Sequence, residues 1–205
     1  RLGLNTGGMG TFSPSPFYTD EVDAFCKANI YQKTVDAMAA EGRPFVCVIF
    51  FGLMLTEDGP KVLEYNCRFG DPEAQVVIPR MKNDMIEVME ACADGRLDEI
   101  ELEFEDNAAV CVVLASEGYP VSYQKGFPIH GLEEFKGRND AFVFHAGTKF
   151  SGDGEIVTNG GRVLGVTAIG STLVEARANA YKASELITFE NKYKRNDIGK
   201  AIDEA

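Results

Sequence analysis

The sequence predicts an α/β (α+β) protein, in which a part with helices and a strand hairpin is followed by a smaller, β-rich part. Three observations lead to this prediction. Apolar side chains recur with helical spacing between residues 20 and 41, a continuous run of β-forming residues covers 45–55, and several short β-forming segments separated by glycine or proline lie beyond residue 102. With 205 residues, 45% of them hydrophobic, the chain can form one large domain or two small ones.

The first helix is predicted from Thr19 or Asp20 to about Glu41. Either of the first two side chains can accept a hydrogen bond from the first turn and so cap the helix. Gly42 and Pro44 should then end it. The apolar stripe consists of Val22, Phe25, Ala28, Val35 and Met38.

A strand hairpin is predicted next. The apolar run 45–55 is short, continuous and rich in β-forming residues, so we expect a strand that is buried on both faces. Asp58-Gly59 favours a tight turn, and Lys61 to Asn66 is the returning strand.

A further helix is predicted after the hairpin, because Asp71-Pro72-Glu73 has the order of a helix start. Asp71 can cap, proline suits the first helical position, and an acid is favourable near the positive end of the helix dipole. Pro79 should kink or divide this helix, and a second helical stretch should run from about residue 83 to Gly95.

The acidic segment from Asp98 to Asp106 predicts a domain boundary near residue 102, which gives domains 1–102 and 103–205. The second domain should contain mostly antiparallel strands, and a capping box, Thr172 to Glu175, should start its last helix. Thr158-Asn159-Gly160-Gly161 favours a hairpin turn, and so does Gly152 to Gly154. The expected strands cover residues 108–115, 141–148, 155–159 and 162–169.

Charge and composition favour small-molecule chemistry. The net charge is −12, from 32 acidic and 20 basic residues, which repels nucleic acid and anionic membrane surfaces. No apolar run reaches the roughly 20 residues that span a bilayer, and no signal-peptide pattern opens the chain, so we expect a cytoplasmic protein. The five cysteines form no Cys-x-x-Cys pair and are interpreted mostly as reduced, buried small hydrophobes.

Glu64, Asn66 and Arg68 form the most informative polar pattern of the chain. Because side chains alternate along a strand, these three should project to one face, with Leu63 and Tyr65 on the other. A carboxylate, an amide oxygen and a guanidinium suit a site for a magnesium nucleotide phosphate. An exposed polar face on an edge strand explains the same pattern equally well.

Other candidate motifs are less specific. The cluster Thr6-Gly7-Gly8-Met9-Gly10 can bring backbone N–H groups close to an anion, although an ordinary ordered loop is nearly as good an interpretation. His130 and His145 are interpreted as structural, since neither has a serine or cysteine partner that indicates a nucleophile.

Taken together, the motifs resemble the glycinamide ribonucleotide synthetase family, also called phosphoribosylamine–glycine ligases, and match its C-terminal half. The resemblance covers essentially the whole chain, and the string from Glu64 to Glu73 is highly specific. The matching segments, in the family's order, are Asn5 to Gly10 followed by Ser13-Pro-Ser-Pro16, Glu64-Tyr-Asn-Cys-Arg-Phe-Gly-Asp-Pro-Glu73, His145-Ala-Gly-Thr148, and Thr158-Asn-Gly-Gly-Arg-Val-Leu164.

The resemblance implies the C-terminal part of an ATP-grasp domain followed by the family's small, closing β-rich domain. It implies a ligase of purine biosynthesis in which ATP phosphorylates glycine and the amine of phosphoribosylamine attacks the acyl phosphate. ATP is then a co-substrate, and Mg²⁺ or Mn²⁺ is the expected cofactor. The family also has an N-terminal half with most nucleotide contacts, so we expect this chain to be a fragment cut upstream of Arg1 and inactive alone.

The resemblance also assigns the family's functional roles to individual residues at the matching positions of this sequence. Glu64 and Asn66 match the metal ligands, and Arg68 can stabilise phosphoryl and acyl-phosphate charge. The loop of Thr6, Gly7, Gly8, Met9 and Gly10 should line the substrate side of the cleft. For Asp71 and Glu73, helix capping is the favoured interpretation, and contact with the substrate amine is the more specific but less favoured one. His145 and Thr148 are weaker candidates for approaching the substrate.

Two alternatives stay open. Another ATP-grasp carboxylate–amine ligase or carboxylase can share the Glu-x-Asn pair, although the continuation Gly70-Asp-Pro-Glu73 argues against it. The other alternative is a non-catalytic half that serves as a scaffold or assembly partner.

Overall fold

The computed structural model describes residues 3–204, and this part of the chain falls into two compact units. The sheet unit combines the segment up to Pro14, Asp71–Arg80 and the segment from Glu105 onward. The hairpin unit combines Ser15–Gly70 and Met81–Phe104. Both units are therefore assembled from separate stretches of sequence, and the domain boundary near residue 102 stays a prediction.

Strands and short helices alternate along the described chain. The strands are β1 Gly10–Ser13, β2 Phe50–Thr56, β3 Gly59–Asn66, β4 Ala108–Ser116, β5 Ala141–His145, β6 Thr148–Phe150, β7 Ile156–Thr158, β8 Arg162–Gly170 and β9 Lys192–Tyr193. The α-helices are α1 Asp20–Cys26, α2 Gln32–Ala40, α3 Ala74–Val77, α4 Met85–Ala93 and α5 Leu173–Ser184.

The helical part of the hairpin unit agrees closely with the sequence prediction. Thr19 caps α1 by accepting a hydrogen bond from the Val22 N–H at 3.3 Å. A π-helical segment, Lys27–Tyr31, joins α1 to α2, which no sequence pattern indicated. Asp84 caps α4 in the same way, through the Ile86 N–H at 2.8 Å.

The β2–β3 hairpin is confirmed, but β2 differs from its prediction in two respects. It begins at Phe50 rather than at residue 45, and it is not buried on both faces, since Met54 and Leu55 are each 44% exposed. An apolar run alone cannot show how many strands will flank it, and here β2 and β3 form a two-stranded sheet. Glu57 and Asp58 form the turn that joins them, and Gly59, the first residue of β3, leaves the turn with φ of 92°.

The core of the sheet unit lies between a five-stranded sheet and α5. The strand order is β1-β4-β8-β5, with β9 paired to β4, and every described pairing is antiparallel, as expected. Strand β4 is buried along its whole length, and α5 buries its alanine face against the same core. The sequence analysis missed β1 and β9, which are only four and two residues long.

Two predicted turns have different outcomes. The turn at Gly152 to Gly154 does join β6 to β7 in a hairpin. The hairpin prediction for Thr158 to Gly161 is wrong, because β7 pairs with β6 whereas β8 pairs with β4 and β5 in another sheet. For the same reason the expected strand 141–148 is split at Ala146-Gly147 into β5 and β6, which belong to different sheets.

The cysteine prediction holds for Cys26 and Cys111, which are buried, but is wrong for Cys47 and Cys67, which are exposed. Burial raises the pKa of the Cys111 thiol to about 12, so it behaves as a small hydrophobe. Within residues 3–204, no helix is long and apolar enough to cross a membrane.

Candidate functional site

Glu64, Asn66 and Arg68 form a hydrogen-bonded row at the end of β3. The Asn66 side-chain amide donates to Glu64 Oε1 at 3.2 Å, and Arg68 Nη2 donates to Asn66 Oδ1 at 3.1 Å. Arg68 Nη1 also donates to the carbonyl of Phe69 at 2.7 Å. The three side chains therefore lie on one face, as strand alternation predicted, and Tyr65 instead contacts the ring of Phe51 on β2.

Gly52 makes room for the first member of this row. It lies opposite Glu64 in the hairpin, next to a β-bulge between Gly52 and Leu53. A Cβ at this position would be 2.8 Å from Glu64 Cγ, closer than side chains approach one another. The glycine thus lets the Glu64 side chain lie across the neighbouring strand.

The chemistry of this row fits a hard divalent cation beside a phosphate. A carboxylate and an amide supply oxygen ligands, which Mg²⁺ prefers, and a guanidinium has the planar donor geometry that phosphate accepts. Glu64 and Arg68 are exposed and Asn66 is half-buried, so the row is open to solvent on the hairpin unit. Elsewhere in residues 3–204, no group of three or more His, Cys, Asp or Glu side chains is placed to hold a metal ion.

The capping role expected for Asp71 is wrong. Its carboxylate accepts a hydrogen bond from the Gln75 side chain at 2.9 Å through Oδ1, and it pairs with Arg162 at 2.9 Å through Oδ2. Helix α3 begins only at Ala74, and Glu73, at the capping position, makes no side-chain capping bond. An arginine distant in sequence competes for the Asp71 carboxylate, which local capping rules cannot detect.

The glycine cluster is an ordered loop in which the N–H groups of Gly7 and Gly8 already have partners. The Gly7 N–H donates to the Tyr119 hydroxyl at 3.1 Å, and the Gly8 N–H contacts Thr6 Oγ1 at 3.4 Å. Gly8 has φ of 100°, and a Cβ there would be 2.8 Å from Pro72 Cδ. The N–H groups of Gly7 and Gly8 are therefore not free for an anion, and these two glycines are required by close packing.

Two further motifs meet in the sheet unit. Gly147 donates to the carbonyl of Arg162 at 2.9 Å, and Asn159 donates to the carbonyl of Gly147 at 2.7 Å. A Cβ at Gly147 would be 2.5 Å from Gly160 Cα, so both glycines permit the two backbones to touch. His145 Nδ1 is 3.0 Å from the Thr148 hydroxyl. This contact and the backbone bridge of His130 to Thr188 agree with structural roles for both histidines.

Sequence reasoning missed Gly52, Tyr119 and Arg162. A glycine inside a strand-forming run signals a bulge or a close approach, so Gly52 could have been noticed. Arg162 lies in the quoted motif after Gly161, but nothing local indicated its partners, which are more than 90 residues away. Tyr119 carries no local signal.

Comparison with protein families assigns both ends of the chain to one enzyme family. Residues 2–74 match the model described as phosphoribosylglycinamide synthetase, ATP-grasp (A) domain. Residues 109–201 match the model described as phosphoribosylglycinamide synthetase, C domain. Glu64, Asn66 and Arg68 lie within the first match, and Arg162 lies within the second.

Individual relatives carry related names. The chain is 50% identical over 196 residues to a phosphoribosylamine–glycine ligase of Caldanaerobacter subterraneus subsp. tengcongensis, covering 96% of this chain and 46% of that protein. It is 50% identical over 198 residues to the trifunctional purine biosynthetic protein adenosine-3 of Gallus gallus, covering 96% of this chain and 20% of that protein. The crystal structure of a phosphoribosylamine–glycine ligase from Thermotoga maritima superposes with a TM-score of 0.79 at 36% identity, covering 97% of this chain and 48% of that one. The chain thus spans about half the length of the ligases it matches.

Proposed function

Because the chain belongs to the phosphoribosylglycinamide synthetase family of ATP-grasp ligases, we propose that it is part of an enzyme that joins glycine to 5-phosphoribosylamine in purine biosynthesis. The activity is proposed for the complete protein, since relatives are about twice as long as this chain. We propose that the complete protein contains the part of its relatives that this chain does not cover, here called the missing half, and that this part supplies most contacts to the adenine, ribose and phosphates of ATP.

The proposed reaction has two steps. The glycine carboxylate attacks the γ-phosphorus of ATP, which gives glycyl phosphate and releases ADP. The amine of phosphoribosylamine then attacks the acyl carbon, the carbon–oxygen bond to phosphate breaks, and the amine proton is lost to solvent or a base. The products are glycinamide ribonucleotide, ADP and phosphate.

The row on β3 carries this proposal. Glu64 and Asn66 would hold Mg²⁺ or Mn²⁺, and Arg68 would place its guanidinium against the transferring phosphoryl group and the acyl phosphate. A bound cation would neutralise charge on the phosphate oxygens during transfer. Support comes from the row's geometry, in which three polar side chains lie within hydrogen-bond distance at the end of one strand.

The loop from Thr6 to Gly10 and the turn at Asp71 and Glu73 are proposed for the substrate side. With its N–H groups engaged at Gly7 and Gly8, the loop would act through its shape and its side chains. Asp71 is committed to Arg162 and Gln75, so its role would be to fix this turn. Glu73 makes no capping bond and is the better candidate for contacting a substrate amine.

The hairpin unit offers a surface for the missing half. A cavity of about 630 Å³ opens on it, lined mostly by apolar side chains, among them Met38, Phe45 and Ile49. Leu63 and Tyr65 on β3 are 63% and 52% exposed. Exposed apolar area of this kind marks a surface that another part of a protein covers, and we propose that the remaining half packs here.

The test is an ADP-release assay on the complete protein with ATP, Mg²⁺, glycine and phosphoribosylamine. We expect steady turnover only with both substrates, and one glycinamide ribonucleotide formed per ADP, as measured by mass spectrometry. The 205-residue chain alone should be inactive, and activity should appear when the missing half is added.

Other results would select the alternatives. Turnover with bicarbonate or another carboxylate in place of glycine would indicate a different ATP-grasp enzyme. Complete, folded protein that hydrolyses no ATP would indicate a scaffold. Glycine-dependent ADP formation by the chain alone would contradict the proposed division of nucleotide contacts. The expected cytoplasmic location stays a prediction.

A further inference from the structure

Arg162, at the start of β8, holds together two segments that are far apart in sequence. Its Nη1 donates to the carbonyl of Gly7 at 2.7 Å and to the carbonyl of Asp71 at 2.8 Å, with the Gly8 carbonyl at 3.5 Å. Its Nη2 donates to Asp71 Oδ2 at 2.9 Å. We propose that Arg162 is a positioning residue, which sets the glycine loop against the Asp71 turn and so fixes the substrate side of the site.

The geometry favours positioning over direct catalysis. Both terminal nitrogens of Arg162 are used on protein acceptors, and the Asp71 carboxylate neutralises the guanidinium charge. The side chain is 21% exposed. A planar guanidinium can donate to two acceptors through one nitrogen and to a carboxylate through the other, which a lysine ammonium cannot reproduce in fixed directions.

The loop is shaped to this arginine. A Cβ at Gly7 would lie 3.1 Å from Arg162 Cζ and 3.3 Å from the Tyr119 hydroxyl, so even alanine would push against both. The Tyr119 hydroxyl also holds Gly7, by accepting a hydrogen bond from its N–H. Gly161 has no room for a Cβ because the Tyr119 ring packs on it. The neighbouring residues Gly161 and Arg162 therefore both hold the loop in place: Arg162 bonds it directly, and Gly161 leaves room for the Tyr119 ring.

This inference rests on the proposed function for one consequence, that the loop and the turn face the substrates. Positions displaced by about 1 Å typically cost a site about a hundredfold in efficiency. Loss of the Arg162 contacts should therefore raise the KM for glycine or phosphoribosylamine. The KM for ATP should stay near its normal value, because no nucleotide contact is assigned to these segments.

The test compares Arg162→Met, Arg162→Lys and a matched control, Arg177→Met, in the complete protein. Arg177 lies on α5, has the same 21% side-chain exposure, and also bonds one carboxylate, Asp203, and one backbone carbonyl, Gly199. Arg177→Met thus removes a comparable salt bridge and a backbone hydrogen bond elsewhere in the sheet unit. Steady-state kinetics, melting temperature and hydrogen exchange of the peptide covering residues 4–12 are measured on each preparation.

We expect Arg162→Met to raise the KM of glycine or phosphoribosylamine by about tenfold to a hundredfold, with faster exchange in the peptide 4–12. Arg162→Lys should also raise the substrate KM and the exchange rate, and it becomes the test variant if Arg162→Met does not fold. Arg177→Met should lower only the melting temperature. The proposal would be overturned if the Arg162 variants kept normal substrate KM values and normal exchange. It would also be overturned if Arg162→Lys had wild-type kinetics and exchange, or if Arg177→Met changed KM and exchange as much as Arg162→Met.

Failure of the proposed function is distinguishable from failure of this inference. If the wild-type complete protein forms no ADP with glycine and phosphoribosylamine together, the ligase proposal falls. The exchange comparison still decides whether Arg162 holds the loop: faster exchange only in the Arg162 variants supports the positioning role, and unchanged exchange overturns it.

Discussion

Replacing Gly52 with alanine should weaken the metal site without unfolding the hairpin. The added Cβ would be 2.8 Å from Glu64 Cγ, and ordinary contact begins at 3.4 Å, so Cγ must withdraw by at least 0.6 Å, the difference between these values. Because Cγ is close to the backbone, this shift requires rotation about the first side-chain torsion, which moves the carboxylate further. The ligand oxygen therefore leaves its place beside Asn66.

Gly52→Ala should affect magnesium binding much more than it affects the stability of the fold. Overpacking typically costs about 1–3 kcal/mol, and the Glu64 side chain is exposed and has only the hydrogen bond from Asn66 to lose, which places this cost at the low end. Replacing glycine by alanine also restricts the unfolded chain, which stabilises the folded state by about 0.4–1 kcal/mol. These effects nearly cancel, so the melting temperature should change little. A displacement of about 1 Å at the site, in contrast, should raise the magnesium requirement by about tenfold to a hundredfold.

The assay is a Mg²⁺ titration of ADP formation by the complete protein at saturating substrates, with a thermal melt on the same sample. Met54→Ala is the control, because Met54 lies on the same strand, is 44% exposed and pairs with Lys61 instead of Glu64. Its titration should match the wild type. An unchanged titration for Gly52→Ala would show that the position of Glu64 does not matter to the cation, and the metal assignment would fall with it.

Three other predictions concern single side chains. Glu64→Gln should raise the Mg²⁺ requirement of the complete protein, with partial recovery at high Mg²⁺, because one anionic oxygen is lost; an unchanged titration would make Glu64 an ordinary strand residue. Arg68→Lys should lower turnover by about two to three powers of ten with little change in melting temperature, because a directed donor is lost; a lower melting temperature with normal turnover would mean that Arg68 only anchors its loop. In thiol labelling of the native chain, Cys47 and Cys67 should react quickly and Cys111 only after unfolding, since it is buried; rapid labelling of Cys111 would contradict the packing of β4.

The sequence alone predicted those features that depend on neighbours within a few residues. Thr19 and Thr172 cap helices as expected, because capping involves an N–H two or three positions ahead. The alternation of Glu64 and Asn66 on β3 likewise follows from strand geometry. The family could be recognised from its motifs, since the specific string from Glu64 to Glu73 is contiguous.

Only the tertiary structure decided which distant groups compete for the same partner. Asp71 has the sequence context of a helix cap, yet its carboxylate bonds Arg162, which lies 91 positions away. The glycines at 160 and 161 resemble a hairpin turn, yet they serve a strand crossing where Gly147 and the Tyr119 ring come close. A guanidinium or a ring that arrives from another segment can satisfy a group more strongly than its neighbours in sequence, and no local pattern contains that information.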